Sequence, residues 1–130
     1  MKGIFFALIF LLNLNAKSLH WQSNYDQAHR QAIEESKNLM VLLIDHKDNE
    51  INRKMLMNTF MNQKYIDEID EHYISVLITK DQKISYPIES LFTVEYPALF
   101  FINDNNLFLC DALFGDISPD RLKAHLLECE

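Results

Sequence analysis

The sequence has 130 residues, of which 48% are hydrophobic. That is enough for one small globular domain with a buried core and too little for two. Nineteen acidic residues against twelve basic ones give a net charge of −7. A negative field of this kind disfavours nucleic acids and anionic membrane surfaces as partners.

The first sixteen residues have the three parts of a secretory signal peptide. Lys2 supplies the basic start, Ile4 to Leu12 form the apolar centre, and Ala16 is a small residue at a suitable cleavage point. Nine apolar residues are short for a bilayer span, so the pattern favours cleavage over the alternative of a retained anchor. We therefore expect a mature domain of residues 17–130 in the periplasm or outside the cell, without a stable membrane span. Loss of Lys2 leaves 11 basic against 19 acidic residues, a net charge of −8.

The first half of this domain predicts alternating helices and strands. Apolar residues recur at helical spacing after Ser23 and Asn24, either of which can cap a helix. An unbroken apolar run then has the length of a buried strand. The predicted segments are a helix to about Ser36, a strand at Leu39–Ile44, a polar loop from Asp45 to Asn52, a helix ending near Met61, helical turns at Lys64–Glu71 and a strand at Tyr73–Ile78.

The second half predicts a hairpin and a closing helix. Asn103–Asn106 is a turn cluster between two apolar segments, and Gly115 stands where the chain must turn sharply, so we expect an unusual backbone conformation there. The predicted segments are a loop at Asp81–Ser85, a short helix at Ile88–Phe92 begun by Pro87, strands at Ala98–Ile102 and Leu107–Phe114, and a helix capped by Ser118 that runs to the end.

This order of elements predicts an α/β domain with a mixed central sheet of about four strands and helices on both faces. It resembles the thioredoxin fold, and specifically the secreted branch of thioredoxin-like proteins, over Trp21 to Leu127. The matching segments are the strand Asn38–Ile44, Arg53-Lys54-Met55, Asn58-Thr59-Phe60, the Tyr96-Pro97-Ala98 loop, and the final hairpin from Asp104 to Gly115. The resemblance implies that the Tyr96–Pro97 bond is cis and faces the loop around Asn49.

The resemblance also places the two active-site cysteines of these proteins at Asn49 and Asn52. Thiol–disulfide exchange requires a thiolate, which an amide cannot provide. We therefore expect a redox-inactive domain without a cofactor. The same surface could still bind a protein or peptide of the cell envelope, through a groove formed by Asp48, Asn49, Glu50, Asn52, Tyr96 and Pro97.

A polar loop and a Met-rich helix could each suggest a binding site, but solvent exposure and core packing explain most of their residues. His46, Asp48 and Glu50 could suggest a metal site, but a zinc site needs three or four ligands and the other histidines are scattered, so a solvated loop is the expectation and no metal is predicted. The Met-rich helix could be a soft binding surface. Its spacing places Met55 in the core and leaves Leu56 or Met57 exposed.

Cys110 and Cys129 are the two cysteines of the chain, and an oxidising compartment favours their pairing. Cys129 shares the apolar stripe of the last helix with Leu122 and Leu126, so it points inward. Strand and helix rises bring both cysteines to similar heights, about 16 Å from the turn that joins their elements. The register of the strand leaves open whether they form a disulfide or two buried thiols.

Three function classes follow. The first is the redox-inactive binding domain described above. The second is a thiol–disulfide oxidoreductase that uses Cys110 and Cys129 instead of the missing pair. The third is a structural subunit of an envelope complex.

Overall fold

A computed structural model of the protein describes residues 19–80 and 95–129. The predicted signal peptide, residues 1–16, lies outside this part of the chain, as do the loop at Asp81–Ser85 and the helix at Ile88–Phe92. Within the two described ranges, no helix combines the length and the hydrophobicity that crossing a bilayer requires.

The described elements alternate as the sequence predicts. They are α1 (Tyr25–Glu35), β1 (Asn38–Ile44), a 3₁₀ turn (His46–Asp48), α2 (Asn49–Met55) continuing as a π-helical segment (Leu56–Phe60), α3 (Gln63–His72), β2 (Tyr73–Thr79), β3 (Ala98–Ile102), β4 (Leu113–Phe114) and α4 (Pro119–Glu128). Asn24 caps α1 and Ser118 caps α4, each by accepting a hydrogen bond from a backbone N–H of the first turn.

The four strands form one mixed sheet in the order β2-β1-β3-β4. β1 pairs in parallel with β2, so that Asn38 lies opposite Tyr73, and antiparallel with β3, so that Leu43 lies opposite Ala98. β1 is therefore central, and its residues from Leu39 to Ile44 are all buried. This explains why its sequence is an unbroken apolar run rather than an alternating one.

Helices cover both faces of the sheet, as predicted. On one face, Tyr25, Ala28 and Ala32 of α1 pack on the side chains of alternate strand residues such as Val41 and Phe100. On the other face, α2, its π-helical continuation, α3 and α4 pack on the remaining strand residues. The residues that form this second core layer include Met40, Leu42, Met55, Phe60, Ile66, Ile69, Phe101, Leu122 and Leu126.

The predicted polar loop after β1 is shorter than expected. Only Asp45 stands between β1 and the 3₁₀ turn, and Asn49 to Asn52 already belong to α2. The Asp45 carboxylate accepts the Lys47 N–H, which caps this early start. A stretch rich in Asp and Asn looks like a loop by composition, yet here a local cap lets the helix begin at once.

The predicted strand Leu107–Phe114 is wrong in its extent. Phe108 forms an isolated bridge with Ile102, and regular pairing resumes at Leu113, opposite Leu99. Between these two points the β4 side of the hairpin has two more residues than β3, so a bulge interrupts the pairing. Residues 109–112, which include Cys110, therefore lie outside regular strand pairing.

Gly115 has the unusual conformation that the sequence predicts, with φ at +80°. Its N–H donates to the Pro97 carbonyl at 2.9 Å, directly beyond the last β3–β4 pair. A residue with a side chain is strained at this φ, so glycine lets the chain leave β4 and turn toward α4.

Candidate functional site: the cis-proline edge

Three strands have one of their ends at the same edge of the sheet. β1 ends at Ile44 next to the end of β2 at Thr79, and β3 begins at Ala98 beside Leu43. The segments just beyond these ends contribute Asp45, the start of α2, Lys80 and the Tyr96–Pro97 loop. We call this surface the cis-proline edge and define it by Asp45, Asn49, Glu50, Lys80, Tyr96 and Pro97.

Asp45 connects the parts of this edge. Its carboxylate caps the 3₁₀ turn and lies 3.8 Å from Nζ of Lys80. The same Nζ lies 5.5 Å from the centroid of the Tyr96 ring, within the range of a cation–π contact. One side chain, Lys80, thus joins the helix start to the proline loop. Because Lys80 is exposed, solvent weakens both contacts, and they orient the edge more than they stabilise the fold.

The Tyr96–Pro97 peptide bond is cis, as the resemblance implies. Pro97 is buried, while Tyr96 is half-buried and packs against the core layer under α1. A cis bond is almost confined to proline and needs its surroundings to hold it. The hydrogen bond from Gly115 to the Pro97 carbonyl is one such support.

Asn49 and Asn52 have different environments. Asn49 is the exposed first residue of α2, whereas Asn52 is 4% exposed. The Asn52 amide donates to the Asp45 carbonyl at 2.7 Å, across the turn that leads into the helix. Asn52 therefore supports the edge from inside instead of offering surface to a partner.

The remaining predicted groove residues also have defined places. Asp48 closes the 3₁₀ turn, and Glu50 is exposed in the first turn of α2. In the Met-rich segment, Met55 is buried and Met57 is 56% exposed, which confirms the predicted packing of this helix. The Met57 side chain is thus one exposed apolar residue on the helix that starts at this edge.

Cys110 and Cys129 form a disulfide, which answers the question that the sequence left open. Their Cα atoms are 5.5 Å apart, a separation typical of disulfides. Cys129 is buried and Cys110 is half-buried. The bridge ties the bulge before β4 to the end of α4, and a cross-link over 19 residues stabilises a domain by about 3 kcal/mol.

His125, which was not among the residues predicted from the sequence, lies beside this disulfide. Its Nε2 is 3.5 Å from Sγ of Cys110 and 2.5 Å from the Asp111 carbonyl, while Nδ1 is 3.5 Å from a Glu128 carboxylate oxygen. His125 is 6% exposed. The sequence does contain a signal for this contact: His125 precedes Cys129 by four residues, and residues at i and i+4 share one helix face.

One group of possible metal-ligand residues, which the sequence patterns did not single out, includes the two cysteines. Within residues 19–80 and 95–129, Cys110, His125 and Cys129 place one ligand atom each within 4.8 Å of one another. Among the side chains that the structure describes, His46 and Glu50 belong to no such group.

Comparisons with solved structures define the fold. A structure described as a DsbH oxidoreductase matches with a TM-score of 0.69 and 15% identity, over 89% of this chain and 87% of the other. A solution structure of a thioredoxin from Thermus thermophilus matches with a TM-score of 0.71 and 14% identity, over 86% and 87%. A scan against protein-family models finds no match, and neither does a search of curated protein sequences. The chain has a thioredoxin-like fold.

The buried amide of Asn52 gives a test of how the edge is held. Asn52→Ala removes the donor from the Asp45 carbonyl and should lower the free energy of unfolding by about 1–2 kcal/mol. Asn49→Ala is the matched control, because it removes the same side chain from an exposed position and should change stability by less than about 0.5 kcal/mol. Urea denaturation measures both. Equal effects of the two substitutions would contradict the supporting role of Asn52.

Proposed function

We propose that this domain binds an extended peptide segment of a partner protein at the cis-proline edge, without thiol chemistry at that site. The observation that carries the proposal is the pair of asparagines at the start of α2. Asn52 holds the turn through the Asp45 carbonyl, so the architecture of the edge persists with amides where exchange would need sulfur. A cis-proline edge without cysteine sulfurs is suited to binding a peptide without reacting with it.

The composition of the edge supports a peptide as the ligand. The half-buried ring of Tyr96 offers an apolar contact next to the rigid cis-proline turn, and Glu50 and Lys80 place opposite charges on the exposed rim. An extended peptide can combine main-chain hydrogen bonds with side-chain contacts of this mixed kind. The net charge of the chain argues against a nucleic acid as the partner.

We further propose that the domain acts after export, in the periplasm or outside the cell. Lys2, the apolar run after it and Ala16 support a cleaved signal peptide. The Cys110–Cys129 disulfide agrees with an oxidising compartment, where such bridges persist. The partner is then a protein of the cell envelope.

A charge reversal on the rim tests the binding proposal. A random dodecapeptide library, selected against the mature domain, should yield peptides that shift the NMR signals of Glu50 and Tyr96 but leave those of Lys123 on α4 unchanged. Glu50→Arg should weaken these peptides at least about fivefold, since a charge at the contact is reversed. Glu34→Arg, an exposed reversal on α1, is the control. Peptides that shift only signals remote from the edge would overturn the proposal.

Restoring sulfur tests the claim that exchange is lost at this edge. Asn49→Cys combined with Asn52→Cys should gain insulin reduction relative to Asn49→Ser combined with Asn52→Ser, because a thiol at a helix start near cis-proline can form a reactive thiolate. The serine variant keeps similar size and polarity in the same background, so any contribution of Cys110 and Cys129 cancels. A folded double-cysteine variant whose thiols titrate near the ordinary value of about 8.5 would contradict this placement.

A second candidate function is thiol–disulfide exchange at Cys110–Cys129. The observation that favours it is the half-buried position of Cys110 with the His125 Nε2 at 3.5 Å. A thiolate of a partner dithiol attacks Sγ of Cys110, the bond between the two sulfurs breaks, and Cys129 leaves as a thiolate. The partner's second thiolate then displaces Cys110. The protein disulfide gains two electrons and two protons, and the partner becomes a disulfide.

A pair of single-cysteine variants decides between exchange and a purely structural bridge. If Cys110 is the reactive sulfur, Cys129→Ser should form a mixed disulfide with oxidised glutathione under native conditions. Cys110→Ser should form it at least about tenfold more slowly, because Cys129 is 3% exposed. Mass spectrometry counts the adducts. Equal rates, or adducts that need denaturant, would assign the bridge a structural role.

A further inference from the structure

We infer that the reduced Cys110–Cys129 pair, together with His125, forms a binding site for a Zn²⁺ ion, so that the disulfide and the metal are alternative states of one site. The inference does not rest on peptide binding at the cis-proline edge. It rests on three side chains of two suitable ligand types, two cysteines and one histidine, that the fold brings to one point.

The distance between the nitrogen and the nearer sulfur already fits a metal. A tetrahedral zinc ion with ordinary bond lengths holds a thiolate sulfur and an imidazole nitrogen about 3.6 Å apart. In the structure His125 Nε2 lies 3.5 Å from Sγ of Cys110. These two ligand atoms could therefore share one zinc ion with almost no change in their separation.

The two sulfurs must move apart when their bond is broken. Tetrahedral zinc holds two thiolate sulfurs about 3.8 Å apart, which is more than a covalent bond length. Cys110 lies in the bulged segment 109–112, outside regular strand pairing, and Cys129 is the residue that caps the C-terminus of α4. The backbone of Cys110 is not fixed by strand pairing, while the Cys129 N–H donates to the His125 carbonyl at 2.9 Å and keeps Cys129 on the face of α4 that carries His125. Movement of the Cys110 segment and rotation of the Cys129 side chain can open the required gap.

The surroundings of His125 match those of a metal-bound histidine. Such a histidine binds the metal with one ring nitrogen and donates the other N–H to a carboxylate or carbonyl group. Here Nδ1 faces the Glu128 carboxylate at 3.5 Å, on the side opposite the sulfurs. In the disulfide form, Nε2 donates to the Asp111 carbonyl. Metal binding would replace that contact, since Nε2 must lose its proton to become a ligand.

The donor set also selects the class of metal. Two thiolates and an imidazole favour Zn²⁺ over Mg²⁺ or Ca²⁺, which prefer oxygen ligands. His125 and Cys129 are buried and Cys110 is half-buried, so a fourth ligand can reach the ion from the side of Cys110.

Reduction is the step that exposes the site. A water-soluble phosphine serves as the reductant in the test: it takes the oxygen of a water molecule and becomes a phosphine oxide, while the two sulfurs become thiols. Zinc then displaces the thiol protons. Because the metal binds the folded reduced state, it should also raise the melting temperature of that state.

The experiment compares zinc binding by the reduced and the oxidised mature domain. The reduced protein should bind one Zn²⁺ in competition with a chromophoric chelator, and the disulfide form should bind at least about a hundredfold more weakly, since it offers no thiolate. Co²⁺ in place of Zn²⁺ should give the charge-transfer absorption of thiolate ligands. Near-ultraviolet circular dichroism of Trp21, which packs against Phe60, checks that the reduced domain is folded.

Two variants with matched controls assign the ligands. His125→Gln should weaken zinc binding by at least about tenfold, whereas His29→Gln should not, although its Nε2 also contacts a backbone carbonyl, that of Asp104. Glu128→Ala should weaken binding about tenfold, because it removes the acceptor that faces Nδ1, and Glu34→Ala should not. Glu128 is exposed, so its substitution keeps the fold. Equal binding by both redox forms, or an unchanged affinity of His125→Gln, would overturn the inference.

Discussion

The burial of β1 on both faces is the constraint on which the rest of the structure depends. Its residues from Leu39 to Ile44 face α1 on one side and α2, α3 and α4 on the other. A strand buried in this way cannot slip by one residue without exchanging its two core faces. Its register with β2 and β3 is therefore fixed, and so is the edge where β1 ends, β2 ends and β3 begins.

That fixed register produces the cis-proline edge from residues that are distant in sequence. Lys80 reaches both Asp45 and the Tyr96 ring because the ends of β1 and β2 and the start of β3 are neighbours. The Asn52 amide then closes the turn between β1 and α2. The edge is a product of strand pairing and one buried side-chain hydrogen bond, and its geometry needs no sulfur.

The cluster of Cys110, His125 and Cys129 has a different origin, since it forms where regular pairing of β3 and β4 stops. Two additional residues between Phe108 and Leu113 push Cys110 out of the β3–β4 ladder and toward the end of α4. There it meets Cys129 and His125, which share one face of that helix. The domain thus carries sulfur and imidazole beside the last helix and amides at the start of α2. The proposed recognition surface and the Cys110–Cys129 pair therefore consist of different residues.

The sequence by itself determined the elements and most of the fold. The apolar run of β1, the helical spacing of α1, the caps at Asn24 and Ser118, and Gly115 each act through local physics, so their effect can be read along the chain. Their order then permits few topologies. The cis bond before Pro97 also followed, but from the resemblance to thioredoxin-like proteins and not from the residues alone. The inward direction of Cys129 was likewise predictable, from the helical spacing that it shares with Leu122 and Leu126.

Only the tertiary structure decided the register of the last hairpin, and with it the chemistry around Cys110. A two-residue bulge leaves no clear mark in the sequence Leu107–Phe114, because apolar and polar residues fit both a straight and a bulged strand. The early start of α2 was likewise hidden, since Asp45 can cap a helix or sit in a loop. The grouping of Cys110 with His125 and the burial of Asn52 depend on contacts between distant segments, which local pattern cannot supply.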